Sequence, residues 1–303
     1  KAFVMMSSVA SFLGLPGQID YTAANAFLDA FAMERQRRKN GRTLAINWNA
    51  WRDVGMVVNA DAHVLEGPMP LGRSKHQWLS SFESTPNGRR FFTDFSVSDT
   101  WLLGEHQIVN GEALIPGTGF VELARAAFLD AVDKQPMHEV GNVAVELREV
   151  AFLSPFQVGP NQTRRLQIDV ELVANGASVV MRSSSGENLH MTAEVSHCHA
   201  NPLSVNLEDI YQRCKLNEPT RDGFLNQDFV QFGPRWRNIQ EIRLGDAEAL
   251  IRLELKEIFS ADLGALAYHP ALLDMATGAA QTLVPGFKKE QDFFVPFGYD
   301  RIR

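Results

Sequence analysis

Cysteine is nearly missing: the 303 residues contain two, Cys198 and Cys214. Two are too few for a disulfide framework and are not spaced as a structural zinc site, so the expected setting is reducing and cytoplasmic. Basic charge is also in deficit. Lys and Arg number 29 against 36 Asp and Glu, a formal charge of -7, and a chain without basic excess cannot neutralise a phosphate backbone. Nucleic acid is therefore excluded as a partner. No apolar run approaches the ~18 residues of a spanning helix, and no basic start with an apolar middle opens the chain; a membrane partner is not expected. No Gly-x-Gly-x-x-Gly follows a strand, so the loop that cradles dinucleotide phosphates is missing. What remains is ordinary globular composition, 45% hydrophobic and 21% charged, at a length suited to about two domains.

The order of local patterns supports two textures. Lys1 leads at once into Ala2-Phe3-Val4-Met5-Met6, which reads as a buried parallel strand rather than an amino terminus, so the chain reads as a piece of something longer. Turn residues Gly14-Leu15-Pro16-Gly17 precede a helical pattern from about Tyr21 to Lys39, with Phe27 and Phe31 at i, i+4 and Asn40-Gly41 as its C-cap. Leu44 to Trp48 then reads as a second short buried strand, and the unit resembles the later half of an open α/β sheet. Periodicity weakens from Val57 to Gly67, and Pro68, Pro70 and Gly72 follow. The expected boundary lies there, after residue 67.

Beyond residue 88 the pattern turns to antiparallel β. Leu166, Ile168, Val170 and Leu172 alternate with polar residues, Asn175-Gly176 follows as a hairpin signal before Val179-Val180-Met181, and Ile251, Leu253 and Leu255 alternate again. Two helices interrupt the strands. One runs from Thr118 to about Val132 with Phe120, Leu123, Ala127 and Phe128 on one face, and another begins at His269-Pro270. A strand-rich segment with one apolar helix, occurring twice, predicts two sheets each wrapped round a central helix.

Chemistry-bearing residues fall beside these helices. His106 precedes an apolar strand, and Pro116-Gly117-Thr118 opens a helix whose first amides have no internal partner. With a thioester in the pocket, the Gly117 N–H would stabilise a developing enolate while His106 takes the α-proton. By spacing alone the plainer reading of His106 is a surface or core histidine. Asp274 lies among apolar neighbours on the second helix, where burial would leave its carboxyl a proton to donate; its other reading is an aspartate stabilised by the helix dipole. In the first segment Tyr21 and Asn25 share a helix face and Ser8 sits in the loop following the preceding strand. Those three form a hydride-transfer constellation or, more simply, helix packing and a capping loop.

Phe3-Val4-Met5-Met6-Ser7-Ser8, Tyr21-Thr22-Ala23-Ala24-Asn25, Asn47-Trp48-Asn49-Ala50-Trp51 and Val54-Gly55-Met56 resemble the C-terminal part of a ketoreductase domain of a modular type I polyketide synthase. That family is of the short-chain dehydrogenase type, and the resemblance assigns its catalytic Ser, Tyr and Asn to Ser8, Tyr21 and Asn25. It implies a Rossmann-like α/β fold and NADPH for the complete ketoreductase, whose cofactor-binding half lies outside this chain. Asn25 stands where other dehydrogenases of this fold carry Lys, and Asn49 replaces a usual glycine. About residues 68 to 303 resemble the polyketide synthase dehydratase. His106, Gly111 and Pro116 match its His-x3-Gly-x4-Pro motif with one extra residue before the glycine, Gly117 to Ala124 continue it, and His269-Pro270-Ala271-Leu272-Leu273-Asp274 matches its aspartate motif.

The implied fold is α+β: a double hot dog, antiparallel sheets wrapped round central helices, preceded by the C-terminal part of the ketoreductase. The implied division is 1–67 ketoreductase tail and linker, 68–205 first hot dog, and 206–303 second hot dog, which ends short of the family's usual end. The implied reaction removes water from a β-hydroxyacyl thioester to give the enoyl thioester, with His106 and Asp274 catalytic and Gly111, Pro116, Gly117, Phe232, Gly233 and Pro234 binding substrate. No cofactor or metal serves that step. Implied partners are an acyl carrier protein with its phosphopantetheine-linked acyl chain, other synthase domains and a second copy in a homodimer. Two departures leave rivals open. The family's Gly-Tyr-x-Tyr-Gly-Pro-x-Phe is replaced by Asp228-Phe229-Val230-Gln231-Phe232-Gly233-Pro234-Arg235-Trp236, losing both tyrosine hydroxyls. Gly278 stands where a polar residue often follows the aspartate by four, with Gln281 further on. The rivals are a silent scaffold or carrier-docking module, and a hot-dog cyclase or double-bond isomerase. The order, ketoreductase before dehydratase, resembles that of some polyunsaturated fatty acid synthases. His197-Cys198-His199 does not suit a metal, because adjacent strand residues face opposite ways, and Arg35, Arg37, Arg38 and Lys39 read as a solvated helix end.

Overall fold

The computed structural model describes residues 2–13, 19–38, 42–48, 72–109, 111–132, 143–184, 188–199, 204–218, 229–288, 292 and 294–303. It divides into two compact units, Lys1–Leu71 and Gly72–Arg303. The expected turn at 14–17, the cap at Asn40-Gly41 and the boundary after residue 67 lie outside the described residues. Among the described residues, no helix is long and apolar enough to cross a membrane.

The first unit holds β1 (Ala2–Ser8), α1 (Ala10–Leu13), α2 (Ile19–Arg37) and β2 (Arg42–Trp48). β1 and β2 pair in parallel from Ala2↔Arg42 to Ser8↔Trp48, as a helix crossover between strands requires. The buried face of α2 differs from the phenylalanine stripe. α2 buries Asn25, Asp29 and Ala32, while Phe27 and Phe31 stack on each other at 6.0 Å on its exposed side. Asp29 sets the orientation, accepting from Ser11 Oγ at 2.6 Å and Asn47 Nδ2 at 2.8 Å; a residue two positions from Asn25 is rotated about 200° away. Leu44 and Trp48 are likewise exposed in β2, in a sheet that has two strands among the described residues.

The second unit contains β3 (Ser81–Thr85), β4 (Gly88–Ser96), β5 (His106–Ile108), β6 (Ala113–Leu114), β7 (Val143–Phe152), β8 (Gln157–Val158), β9 (Thr163–Val173), β10 (Gly176–Ser183), β11 (Leu189–His199), β12 (Leu216–Glu218), β13 (Val230–Phe232), β14 (Ile239–Leu244), β15 (Ala249–Leu253) and β16 (Gly298–Ile302). Its helices are α3 (Trp101–Gly104), α4 (Gly117–Val132), α5 (Leu207–Arg213), α6 (Asp262–Ala265) and α7 (Pro270–Gly278). Seven strands form an antiparallel sheet in the order β16-β7-β11-β10-β9-β4-β3; smaller sheets run β12-β14-β15 and β13-β5-β6-β8. The alternation in β9 turns Leu166, Ile168 and Val170 into the core, where they join Leu123, Ala127 and Phe128 of α4. Each such side chain contributes roughly 1.5–3 kcal/mol on burial.

β9 and β10 form the expected hairpin, with the turn one residue earlier than Asn175-Gly176 suggests. Val173 pairs with Gly176, so Ala174 and Asn175 make the turn and Gly176 enters the strand. Its φ is +152°, and a Cβ there would lie 2.3 Å from the Val195 carbonyl oxygen. The glycine thus permits close approach of β11 rather than the turn itself. Gly176→Ala is expected to destabilise by about 2 kcal/mol, because the obstructing atom is backbone; urea unfolding checks it, and an unchanged midpoint would refute the packing argument.

α4 and α7 are joined at their starts. Thr118 Oγ1 donates to Pro270 O at 3.0 Å, and Asn238 Nδ2 donates to Ala271 O at 3.0 Å. α7 is capped by His269, whose Nδ1 accepts from Leu272 N at 3.4 Å, with Pro270 in the first turn.

Candidate active site

His106 begins β5, directly after α3 and Glu105. Its backbone pairs with Phe232 of β13, and its ring is walled by Phe232 and Trp236, each with centroids 5.5 Å away. Nδ1 lies 3.0 Å from Leu114 O. A carbonyl can only accept, so Nδ1 carries the hydrogen and Nε2 presents its lone pair. Burial pushes the His106 pKa below its ordinary value, against the opposing pull of Asp274, so the imidazole is held neutral.

Asp274 faces it from α7, with Oδ2 4.0 Å from His106 Nε2. Trp236 Nε1 donates to the same Oδ2 at 2.8 Å. Burial raises the Asp274 pKa, outweighing the His106 charge and the indole hydrogen bond. The two shifts therefore favour the neutral imidazole and the protonated carboxyl, the states in which one can accept a proton and the other donate one.

Both line a cavity of about 620 Å³, with Leu114, Pro116, Gly117 and Phe152 among its walls. Gly117 is the first residue of α4, where backbone N–H groups lack a carbonyl one turn back and the helix dipole is positive. A Cβ at Gly117 would lie 2.9 Å from the Phe152 ring, so glycine keeps this helix start close under the ring. Phe232 also lines the cavity; Gly111, Gly233 and Pro234 are not among its lining residues. Gly111, at φ +91°, closes the tight turn between β5 and β6, donating to Ile108 O at 2.8 Å. Gly233 N donates to Glu105 O at 2.8 Å, and a Cβ there would lie 2.3 Å from Glu105 Cγ; with exposed Pro234 it forms the turn that delivers Trp236.

Two contributors escaped the motif reading: the Leu114 carbonyl and the Trp236 indole. The first is backbone and leaves no mark in sequence. The second had a signal, because Trp236 stands where the motif carries Phe, adding an N–H beside two lost hydroxyls. Gln281 does not reach Asp274 in support, since its amide is spent on Phe294, donating to O at 3.0 Å and accepting from N at 3.3 Å. In the first unit, Ser8 Oγ accepts from Ala10 N at 3.2 Å. Asn25 Nδ2 donates to Tyr21 O at 2.8 Å, one turn back on α2. On β11, His197 packs against Phe128 with centroids 5.0 Å apart.

Residues 76–184 match the family model of the polyketide synthase dehydratase domain, residues 206–303 that of the polyketide synthase dehydratase N-terminal domain, and residues 1–53 that of the KR domain. The chain belongs to the polyketide synthases. Its dehydratase segment follows part of a ketoreductase. The 6-methylsalicylic acid synthase of Aspergillus terreus is 44% identical over 59 residues, 20% of this chain and 3% of that protein. Polyketide synthase ThaG of Burkholderia thailandensis is 26% identical over 215 residues, 63% of this chain and 4% of that protein. The dehydratase domain from the CurF module of curacin polyketide synthase superposes with a TM-score of 0.66 at 19% identity, covering 75% of this chain and 82% of that one; the likeness is one of fold. The chain spans 2% to 5% of the length of the curated relatives it matches.

Proposed function

We propose that this polyketide synthase dehydratase removes water from a β-hydroxyacyl thioester carried on an acyl carrier protein. The observation that carries the reading is His106 Nε2 facing Asp274 Oδ2 at 4.0 Å on the wall of an apolar cavity, where burial favours the neutral imidazole and the protonated carboxyl. His106 Nε2 takes the α-proton, and the electron pair of that C–H bond forms the new C=C bond. The β-carbon–oxygen bond breaks, and Asp274 gives its proton to the departing hydroxyl, which leaves as water. The Gly117 N–H holds the thioester oxygen as enolate charge develops. Imidazolium and carboxylate are left, and return of a proton between them restores the starting state. No cofactor takes part in that step.

The phosphopantetheine arm of the carrier would bring the acyl chain to the cavity, with the two hot dogs, 68–205 and 206–303, supplying base and acid. Other synthase domains and a second copy in a homodimer are the further proposed partners, in a cytoplasmic setting that suits two free cysteines. Ser8, Tyr21 and Asn25 would be the ketoreductase catalytic set of a complete domain. The residues present do not fit NADPH: α1, α2 and two parallel strands come without a Gly-x-Gly-x-x-Gly loop. Hydride transfer is not assigned to this chain.

The deciding experiment follows enoyl-thioester formation from a 3-hydroxyacyl carrier-protein surrogate without NADPH, across pH. Elimination needs neutral His106 and protonated Asp274. The rate is therefore expected to rise as pH climbs through the depressed histidine pKa, below about 6.5, and to fall as it climbs through the raised aspartate pKa, above about 3.9. A folded chain that forms no enoyl thioester at any pH would overturn the reading.

A further inference from the structure

We propose that Trp236 is a positioning residue that decides which oxygen of Asp274 carries the proton. An indole N–H can donate and never accept, and it is aimed at Oδ2 from 2.8 Å. In the protonated acid the carbonyl-type oxygen is the stronger acceptor, so the indole N–H favours that oxygen at Oδ2 and the hydroxyl at Oδ1. This matters because Oδ2 is the oxygen that approaches His106 Nε2 at 4.0 Å. A proton on Oδ2 would lie beside the base and could neutralise it, leaving imidazolium and carboxylate, each in the wrong state for elimination. Placing the proton on Oδ1 keeps acid and base from reacting with each other while they stand in one cavity.

The indole is built to hold that aim. Trp236 is fully buried, set edge-on to Trp101 at 5.8 Å and stacked on Phe232 at 6.3 Å. Its backbone N donates to Gly233 O at 3.2 Å. The preceding residue, Arg235, is pinned by Asp262 at 2.7 Å and by Glu105, the neighbour of His106. Other groups near the carboxyl are committed elsewhere. Thr277 Oγ1 lies 3.1 Å from Leu273 O and 3.2 Å from Asp274 O, and Tyr299 of β16 directs its hydroxyl to Thr277 at 3.5 Å. Among the described residues, Trp236 is the hydrogen-bond donor to the Asp274 carboxyl. His106 is the titratable group that acts on it, and Tyr299 is a titratable group that feels its charge. The arrangement mirrors the one at His106: Leu114 O fixes the tautomer of the base and Trp236 N–H fixes the protonated oxygen of the acid, each through a bond that runs one way.

The inference rests on the elimination reading, and its test separates the two. Trp236→Phe keeps the ring and removes the donor. It is expected to lower kcat about 10- to 100-fold with KM nearly unchanged, and to move the alkaline limb of the rate profile up by about one pH unit, because the lost N–H favoured the carboxylate. Loss of packing alone would leave the limb where it is, so a folded variant with an unmoved limb overturns the proposal. If Trp236→Phe does not fold, the parent protein labelled with 15N in its indoles decides. One indole N–H resonance should titrate along the alkaline limb and cease to titrate in Asp274→Asn. No indole resonance following the carboxyl would equally overturn it. The indole titration needs no turnover, so a parent without activity sinks the elimination reading alone.

Discussion

Asp274→Asn is expected to lower kcat for enoyl formation by about 10²- to 10⁴-fold while leaving the protein as stable as the parent or more so at neutral pH. Asparagine keeps the shape and still accepts from Trp236 but has no proton to give the leaving hydroxyl. The stability direction follows from linkage. Burial raises the folded pKa of Asp274 above its unfolded value, so its contribution to stability is intact below the unfolded pKa and is lost as pH climbs through the raised folded pKa. A neutral amide escapes that loss, and each kcal/mol recovered moves Tm by about 2–4 °C for a domain of this size. His106→Ala should match the loss of activity but not the gain in Tm, since it opens a gap between Phe232 and Trp236. Calorimetry beside the enoyl assay separates these outcomes. An Asp274→Asn protein that keeps near-parental kcat would remove Asp274 from the chemistry.

The parts of this site that were legible in the sequence were those fixed locally. Pro116-Gly117 opens a helix because proline and glycine determine a first turn, and His269-Pro270 does the same for the second, so both elements beside the site follow from short-range rules. Alternation in β9 revealed its buried face for the same reason. What could not be read depends on distant residues. Trp236 meets Asp274 across 38 positions, and the tautomer of His106 is set by a backbone oxygen eight residues away. The stripe of Phe27 and Phe31 shows the opposite failure. Its spacing is sound for a helix, but the face turned to the strands was chosen by Asp29, Asn47 and Ser11, a polar cluster with no periodic signature. The hairpin at Gly176 was shifted by one residue because proximity of Val195, which lies in a later strand, decided where the glycine was needed.

Glu122→Ala is expected to destabilise the protein by about 3–5 kcal/mol, since removing one member of a buried ion pair strands the other. Glu122 sits on α4 with no exposed side-chain area. Its oxygens take Arg125 Nε at 2.8 Å and the Tyr268 backbone N at 3.0 Å, with His76 Nε2 at 3.4 Å. Tyr268 immediately precedes His269, the cap of α7, so the carboxylate ties α4 to the start of the helix that carries Asp274. Burial acts to raise the Glu122 pKa, but Arg125, His76 and the Tyr268 amide together hold it below its ordinary value. The sign is therefore opposite to that of Asp274. Glu122 contributes stability above its unfolded pKa, near 4.3, and loses it as pH falls through the lower folded value. Urea unfolding of parent and variant at pH 7 should show a wide gap that narrows on acidification; coincident midpoints at pH 7 would discard the network as a source of stability. One fold thus buries two carboxyls on two adjoining helices and shifts them in opposite directions, and the surroundings account for it. A guanidinium and a backbone amide hold Glu122 toward its charged form, while burial outweighs the facing imidazole and the indole N–H and moves Asp274 toward its protonated form.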